Sequence, residues 1–236
     1  MNSLHPVQSQ ILLSLQYVDS HRFNQLKPVD MTSDHFNFHI KKLQELGYVI
    51  KNAQGDYLLT NEGKATANFL DKDKLDGSEH ERPKLSLLFV VRKLSNNQYT
   101  YAVQRRAKRP FNDHLVFPTW RVKWGEKITD HSQEYLKKLT GLNGTPQVIG
   151  LIRRIDKNHQ TKTTLYDVIL TICVVDDATG ELGPDPVGAQ QFWVTKEEML
   201  SDEKLTGIPP HVFTMLEDPL SPRLVELEFN IEQEQF

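Results

Sequence analysis

The feature that most constrains this chain is a change of grammar between residues 75 and 84. Before it, apolar residues recur at helical spacing; after it, they come in short, β-branched runs. The stretch at the change, LDKDKLDGSEHERPK, is charged, carries Gly77 and Pro83, and has almost nothing apolar to bury. That is the composition of a linker. A chain of 236 residues is long enough for two small domains. The expected division is a helical domain over 1–75, a linker over 76–83 and a strand-rich domain over 84–230, with the tail NIEQEQF frayed.

Bulk numbers exclude several classes. A net charge of -3 does not suit a protein that coats nucleic acid along its whole surface, although it leaves room for a local DNA-binding face. The single cysteine, Cys173, rules out a disulfide framework or a cysteine-based zinc cluster within the chain. The start MNSLHPVQSQ lacks the charged, then apolar pattern of a signal peptide. The longest apolar run, LYDVILTICVV, is too short to span a membrane and reads as a buried strand. A cytoplasmic protein without a membrane partner is the expectation.

In the first half, PVQSQILLSLQYV places Val7, Ile11, Leu12, Leu15 and Val18 on one helical stripe, with Pro6 at a tolerated helix start. RFNQLKP reads as a short helix stopped by Pro28. TSDHFNFHIKKLQELG reads as a longer helix, capped by Thr32 or Ser33, closed by Gly47 and burying Phe36, Ile40 and Leu43. YVIKN-AQGD-YLLT reads as a hairpin, and TNEGKATANFLDKD as a last helix. Helix, short helix, helix and hairpin is the order of a winged helix-turn-helix.

The segments FNFHIKKLQELGYVIKN, GDYLLT and NEGKATANFL resemble ArsR-like winged-helix regulators over nearly all of residues 5–72. The resemblance implies that the helix around 33–46 enters the DNA major groove and that Asn52–Asp56 form the wing. Ser33, Asp34, His35, Asn37 and Lys41 are then the candidate base readers. Lys42, Lys51 and Lys64 are candidate phosphate contacts, which fix position without reading sequence. Against this stands a balanced charge: eight basic and eight acidic residues up to residue 75. A protein-interaction module is the alternative reading. His35 and His39 have the four-residue spacing of metal ligands, but with no third ligand in view they read as a groove pair.

The second half opens with two strands, KLSLLFVVRK and QYTYAVQRR, joined by LSNNQ. TDHSQEYLKKLTGL reads as a helix. PQVIGLIRRID, TLYDVILTICVVD and QQFWVTKEEML supply further strands, the last entering a helix. This alternation suits a mixed sheet with a helix packed on it.

From about Leu85 to Met199 the chain resembles the Nudix family, through AVQRRAKRPF, FP-x6-GE at Phe117–Glu126, TGL at Thr140–Leu142, and FWVTKEEM. The fold implied for the whole chain is α+β: a winged helix-turn-helix followed by a Nudix-like α/β/α sandwich. Active members gather glutamates one helical turn apart on a single helix face, where they converge on magnesium. Aligned without gaps, Trp120 stands at the opening glycine and Glu126 at the first acid, while Tyr135, Lys138 and Leu139 replace the later glutamates. Hard magnesium takes no ammonium or isobutyl ligand, so the resemblance implies no resident metal or cofactor and no catalytic set.

Arg105, Arg106, Arg109, Arg121, Lys123 and Lys138 fall in or near the implied cleft, and fixed cations there suit a phosphorylated ligand. Trp120 or Trp124 is expected to stack on a base or sugar, with Glu126 beside them. RRID at Arg153–Asp156 offers a further phosphate contact or an ordinary strand end.

The combined expectation is a transcription regulator that binds double-stranded DNA as a homodimer and senses a nucleotide-like effector. Nudix-related regulators of this kind usually carry the two domains in the opposite order. Two alternatives stay open: a Nudix hydrolase with ligands relocated to Glu126, Asp130 and Glu134, and an interaction adaptor.

Overall fold

The computed structural model describes residues 4–70, 81–176, 178–183, 186 and 188–232. The chain divides into two compact units, Met1–Glu81 and Arg82–Phe236. Most of the expected linker lies outside the described residues.

The first unit runs α1 (Pro6–Leu15), α2 (Phe23–Leu26), α3 (Ser33–Glu45), β1 (Val49–Lys51), β2 (Tyr57–Leu59) and α4 (Asn61–Phe69). Pro6 opens α1 and the His5 imidazole accepts from the Val7 N–H, while Gln8 reaches back to the His5 N–H. The helix ends at Leu15, one turn earlier than its apolar spacing predicts. Val18 therefore leaves the stripe and stands 39% exposed. Thr32, rather than Ser33, caps α3 through its hydroxyl, and Gly47 at φ 73° lets the chain reverse after it. Ile11, Leu12, Phe36, Ile40 and Leu43 meet Val49 and Leu59 in one core.

The second unit is built on an eight-stranded mixed sheet: β3 (Lys84–Ser95), β4 (Gln98–Arg105), β5 (Leu115–Val116), β6 (Thr119–Arg121), β7 (Gln147–Asn158), β8 (Thr164–Asp176), β9 (Gln190–Thr195) and β10 (Leu224–Ile231). Its main path runs β10-β7-β8-β3-β4-β5. β3 lies parallel to β8, and β10 parallel to β7; the other pairs are antiparallel. Asn96 and Asn97, both at positive φ, make the two-residue turn between β3 and β4.

The central strands are apolar on both faces because each face is covered. Leu88, Val90, Tyr101, Val103 and Val168 face α7 (Pro209–Glu217), which contributes Val212 and Phe213. Leu87, Phe89, Val91 and Ala102 face α5 (Ile128–Thr140), which contributes Tyr135, Leu136 and Leu139. Between β9 and α7 lies the short α6 (Lys196–Leu200). Gly141 closes α5 at φ 77°, where a Cβ would meet the Glu181 carbonyl oxygen at 2.7 Å.

Four elements escaped the sequence reading: β5, β6, α7 and β10. The first two are too short to show a period. β10 takes in Asn230 and Ile231, so the start of the expected frayed tail is strand, and Ile231 is buried. Residues 233–236 lie outside the described residues.

The sheet opens at one place. The first part of β3 pairs β6, Ser86–Leu88 against Arg121–Thr119, and its last part pairs β4 at Arg92–Ser95. Beyond Tyr101, β4 leaves β3 and runs beside β9. The gap between β4 and β6 is where a cleft forms.

Candidate functional site

Two cavities meet at this gap and share Arg106 and Thr119. One, of about 170 Å³, is lined by Gln104, Arg106, Ala107, Lys108, Thr119, Trp120, Arg121, Leu139, Pro186 and Ala189. Among the described residues that line it, three are basic and none is acidic, a set that favours an anion. The other, of about 80 Å³, lies toward the α7 face. Leu88, Phe111, Phe117, Val168, Leu170 and Ile208 make most of its wall, with Ser86, Arg106, Arg154, Tyr166 and Thr206 as its polar points. A cationic chamber beside an apolar one is the shape that takes a phosphate joined to a flat ring.

Gln104 lines the cationic chamber with its side-chain oxygen buried and without a partner. Buried amides are ordinarily satisfied, so this one is positioned for an incoming donor or, with the amide turned, an acceptor.

The helix face that the resemblance assigns to magnesium has different chemistry. Tyr135 is 2% exposed, and its hydroxyl donates to the Glu126 carboxylate. The Lys123 N–H also donates to Glu126, and the Lys123 ammonium stands 3.6 Å from it. Leu139 is buried against the sheet. Lys138 points outward and pairs with Glu134, whose carboxyl it holds below its usual range, with His131 adding to the effect. Asp130 accepts from the Thr129 hydroxyl. Glu126 is thus held by a phenol, an amide and an ammonium, and Glu134 by a lysine. These residues do not fit a magnesium site. Among the described residues, no three His, Cys, Asp or Glu side chains converge as metal ligands.

The residues expected to hold the ligand separate into three groups. Arg106, Arg121 and Trp120 line the cationic chamber. Trp120 also stacks on Tyr135 at 5.1 Å, so one of its faces is covered. Arg105, its neighbour on β4, points to the opposite side. There it forms a two-pronged pair with Asp202 and holds that carboxyl below its usual range. Gln104 and Arg105 are adjacent on β4 and face opposite ways, and Arg106, the first residue beyond the strand, lines the chamber with Gln104. Arg109, Lys123, Trp124, Glu126 and Lys138 line neither chamber. Trp124 is 81% exposed, so it is not a core residue.

Lys108, Gln104, Phe111 and Tyr166 are not among the ligand residues expected from the sequence, although Lys108 and Phe111 sit in the quoted AVQRRAKRPF; Arg154 enters only through RRID, as a phosphate contact or a strand end. Their convergence depends on strand pairing, which leaves no mark in the local sequence. Of the RRID pair, Arg153 binds Asp167 and Glu226. Arg154 turns inward.

In the first unit, Ser33, Asp34, His35, Lys41 and Lys42 are exposed on α3, and Asn37 is half-buried. Lys42 pairs with Glu45. Lys51 lies over the Tyr57 ring at 5.1 Å, and Lys64 is exposed on α4. His39 is buried, with its Nε2 3.1 Å from that of His35 and its ring 4.3 Å from that of His5. Burial, then His5 and His35, hold the His39 pKa below its ordinary value.

No family model matches the sequence, and no curated protein matches it. Solved structures do. The NUDIX domain of NrtR from Shewanella oneidensis, complexed with ADP ribose, is 10% identical, with 69% of this chain and 100% of that chain covered and a TM-score of 0.51. A MutT protein from Bacillus halodurans is 16% identical, with 65% and 93% covered and a TM-score of 0.48. A MutT protein from Methanosarcina mazei Go1 is 15% identical, with 61% and 100% covered and a TM-score of 0.47. The chain contains a Nudix-fold domain. At such identities the likeness concerns the fold, and function has to be argued from the site. No described helix is long and apolar enough to cross a membrane.

Proposed function

We propose that this chain is a DNA-binding transcriptional regulator whose Nudix-fold domain holds a phosphorylated, nucleotide-type ligand on fixed cations and does not hydrolyse it. The observation that carries this reading is the exchange at the cleft. Tyr135 occupies the place of a metal-binding glutamate and captures Glu126, while Arg106, Lys108 and Arg121 line the adjoining chamber. Guanidinium and ammonium groups bind phosphate directly, in the role magnesium plays in active relatives. The ADP ribose held by the NrtR domain is a ligand of the same chemical class.

The first unit is read as a winged helix-turn-helix. Helix α3 carries Ser33, Asp34, His35, Asn37 and Lys41 as base readers, with Lys42, Lys51 and Lys64 on phosphates and Asn52–Asp56 as the wing. Winged-helix regulators commonly pair on two-fold sites, and a homodimer is part of the proposal. A ligand that favours one arrangement of the dimer shifts the DNA-competent population by its differential affinity.

The test is a plate of nucleoside diphosphate compounds, including ADP-ribose, NADH and nucleoside triphosphates, with magnesium and with manganese, read for hydrolysis and for thermal shift. Stabilisation by a compound without metal and without turnover supports the sensor. Turnover that disappears in Glu134→Gln makes the protein a hydrolase with relocated ligands. A flat response to every compound and to a pool of duplex DNA leaves an adaptor.

A further inference from the structure

Arg154 on β7 is 7% exposed and lines the apolar chamber. Its guanidinium is fixed on three sides. The Nε donates to both carboxylate oxygens of Asp156, at 2.8 and 3.0 Å, and Asp156 is fully buried. The Phe111 ring covers the guanidinium at 4.2 Å, and Phe229 lies against it at 4.7 Å. What remains is the outer end, Nη1 and Nη2, for which no partner is found among the described residues. That end is reached from the chamber that Arg154 lines, where the acceptors of an incoming ligand can meet it.

The setting looks arranged to keep that end open. Phe111 sits at φ 64°, a left-handed conformation that is strained for a bulky side chain. From that position its ring covers Arg154 and also meets His114 at 5.6 Å. A flat, rigid pair of parallel N–H donors therefore points along one plane.

We propose that Arg154 reads the edge of a planar ring that presents two adjacent hydrogen-bond acceptors, as the O6 and N7 edge of a keto-purine does. Asp156 already balances the charge of Arg154, and the chamber walls are largely apolar. An anion loses its hydration against these walls, whereas the adjoining chamber offers it Arg106 together with Lys108 and Arg121. Neutral acceptors do not carry that cost. The arginine fork matches the keto-purine edge two to two, whereas adenine places an amino donor against one of the N–H groups. About 80 Å³ of space suits the edge of a ring, with the phosphates on Arg106, Lys108 and Arg121 next door.

This inference rests on the ligand reading above, and the experiment separates the two. Calorimetric titration of the full chain with GDP, IDP and ADP, without metal, holds the diphosphate constant and varies only the base. GDP and IDP are expected to bind ~5- to 150-fold more tightly than ADP, the range of one good two-pronged contact. Equal affinity for the three, or tighter ADP, overturns the assignment of Arg154 and leaves the ligand reading standing. No binding by any of them overturns both.

7-Deaza-GDP, which lacks the N7 acceptor, is expected to lose most of the advantage over ADP; retention of the full advantage overturns the proposal without recourse to a variant. In the double variant Arg154→Met/Asp156→Leu, which removes the buried pair together, the ratio of GDP to ADP affinity is expected to fall to about one. A ratio that stays high in the folded variant overturns the proposal.

Discussion

Helices α3 and α5 are the same length, thirteen residues each, and both are amphipathic. They differ in what their polar sides do. On α3 the outward residues Ser33, Asp34, His35 and Lys41 are exposed, and even Phe38 stands 64% exposed. On α5 the charges close on each other: Glu134 with Lys138 and His131, and Glu126 with Tyr135 at the helix entry. A helix that leaves polar groups in solvent, even with His35 against His39 and Lys42 against Glu45, presents them to a partner. A helix that satisfies its own serves as scaffold, and under the proposed function the ligand contacts fall to Arg106 and Arg121 at the strand ends beside it.

The comparison can be broken at several points. If α5 is scaffold, its buried side matters most. Leu136→Ala, at a fully buried position, is expected to destabilise the sheet unit by about 2–5 kcal/mol in urea unfolding. Next comes the cation beside it. Arg106→Ala is expected to weaken binding of a nucleoside diphosphate by about 1.5–3 kcal/mol in calorimetry, beyond whatever stability is lost with its bond to the Pro110 carbonyl. A large stability loss with unchanged binding would make Arg106 structural.

On α3 the sharpest local test is its cap. Thr32→Ala removes the acceptor for the His35 N–H and should lower stability by about 1 kcal/mol; under the proposed function it should also weaken duplex binding through fraying of the start of α3. Tyr135→Phe should have a similar or smaller effect, about 0.5–1.5 kcal/mol, because Glu126 keeps the Lys123 N–H. A gain of magnesium affinity in this variant would show that the phenol alone had been blocking a metal site.

The smallest effect is expected with pH. The folded pKa of His39 is depressed by burial and by His5 and His35, so the unfolded chain binds the extra proton first. Stability is then full above the unfolded value of about 6.5 and declines as pH falls from there toward the folded value. Urea midpoints at pH 7.5 and 5.5 should show the decline, and His39→Gln should flatten it.

Much of this molecule was legible before its structure. The two grammars, the helices read at 33–46 and 129–142 and the residues Tyr135, Lys138 and Leu139 at the positions the resemblance assigns to glutamates could be read locally, because period, caps and residue type are local properties. So could the fate of Glu134, since Lys138 is one turn away on the same helix. The residues of the two chambers could not be read this way. Arg105 and Arg106 are neighbours in sequence, yet one binds Asp202 and the other lines the cleft.

That division follows from the pairing of β4 with β9 and its separation from β6, and pairings between distant strands leave no periodic trace. The same holds for Arg154. As sequence it is half of the RR in RRID, readable only as a phosphate contact or a strand end; in the fold, Asp156, Phe111 and Phe229 hold it with one end open. By itself the sequence determined most of the longer elements and placed Tyr135, Lys138 and Leu139 on the α5 face where the resemblance expects glutamates. Which cations share a chamber was decided only by the tertiary structure, because that depends on where the sheet splits and which way each strand residue faces.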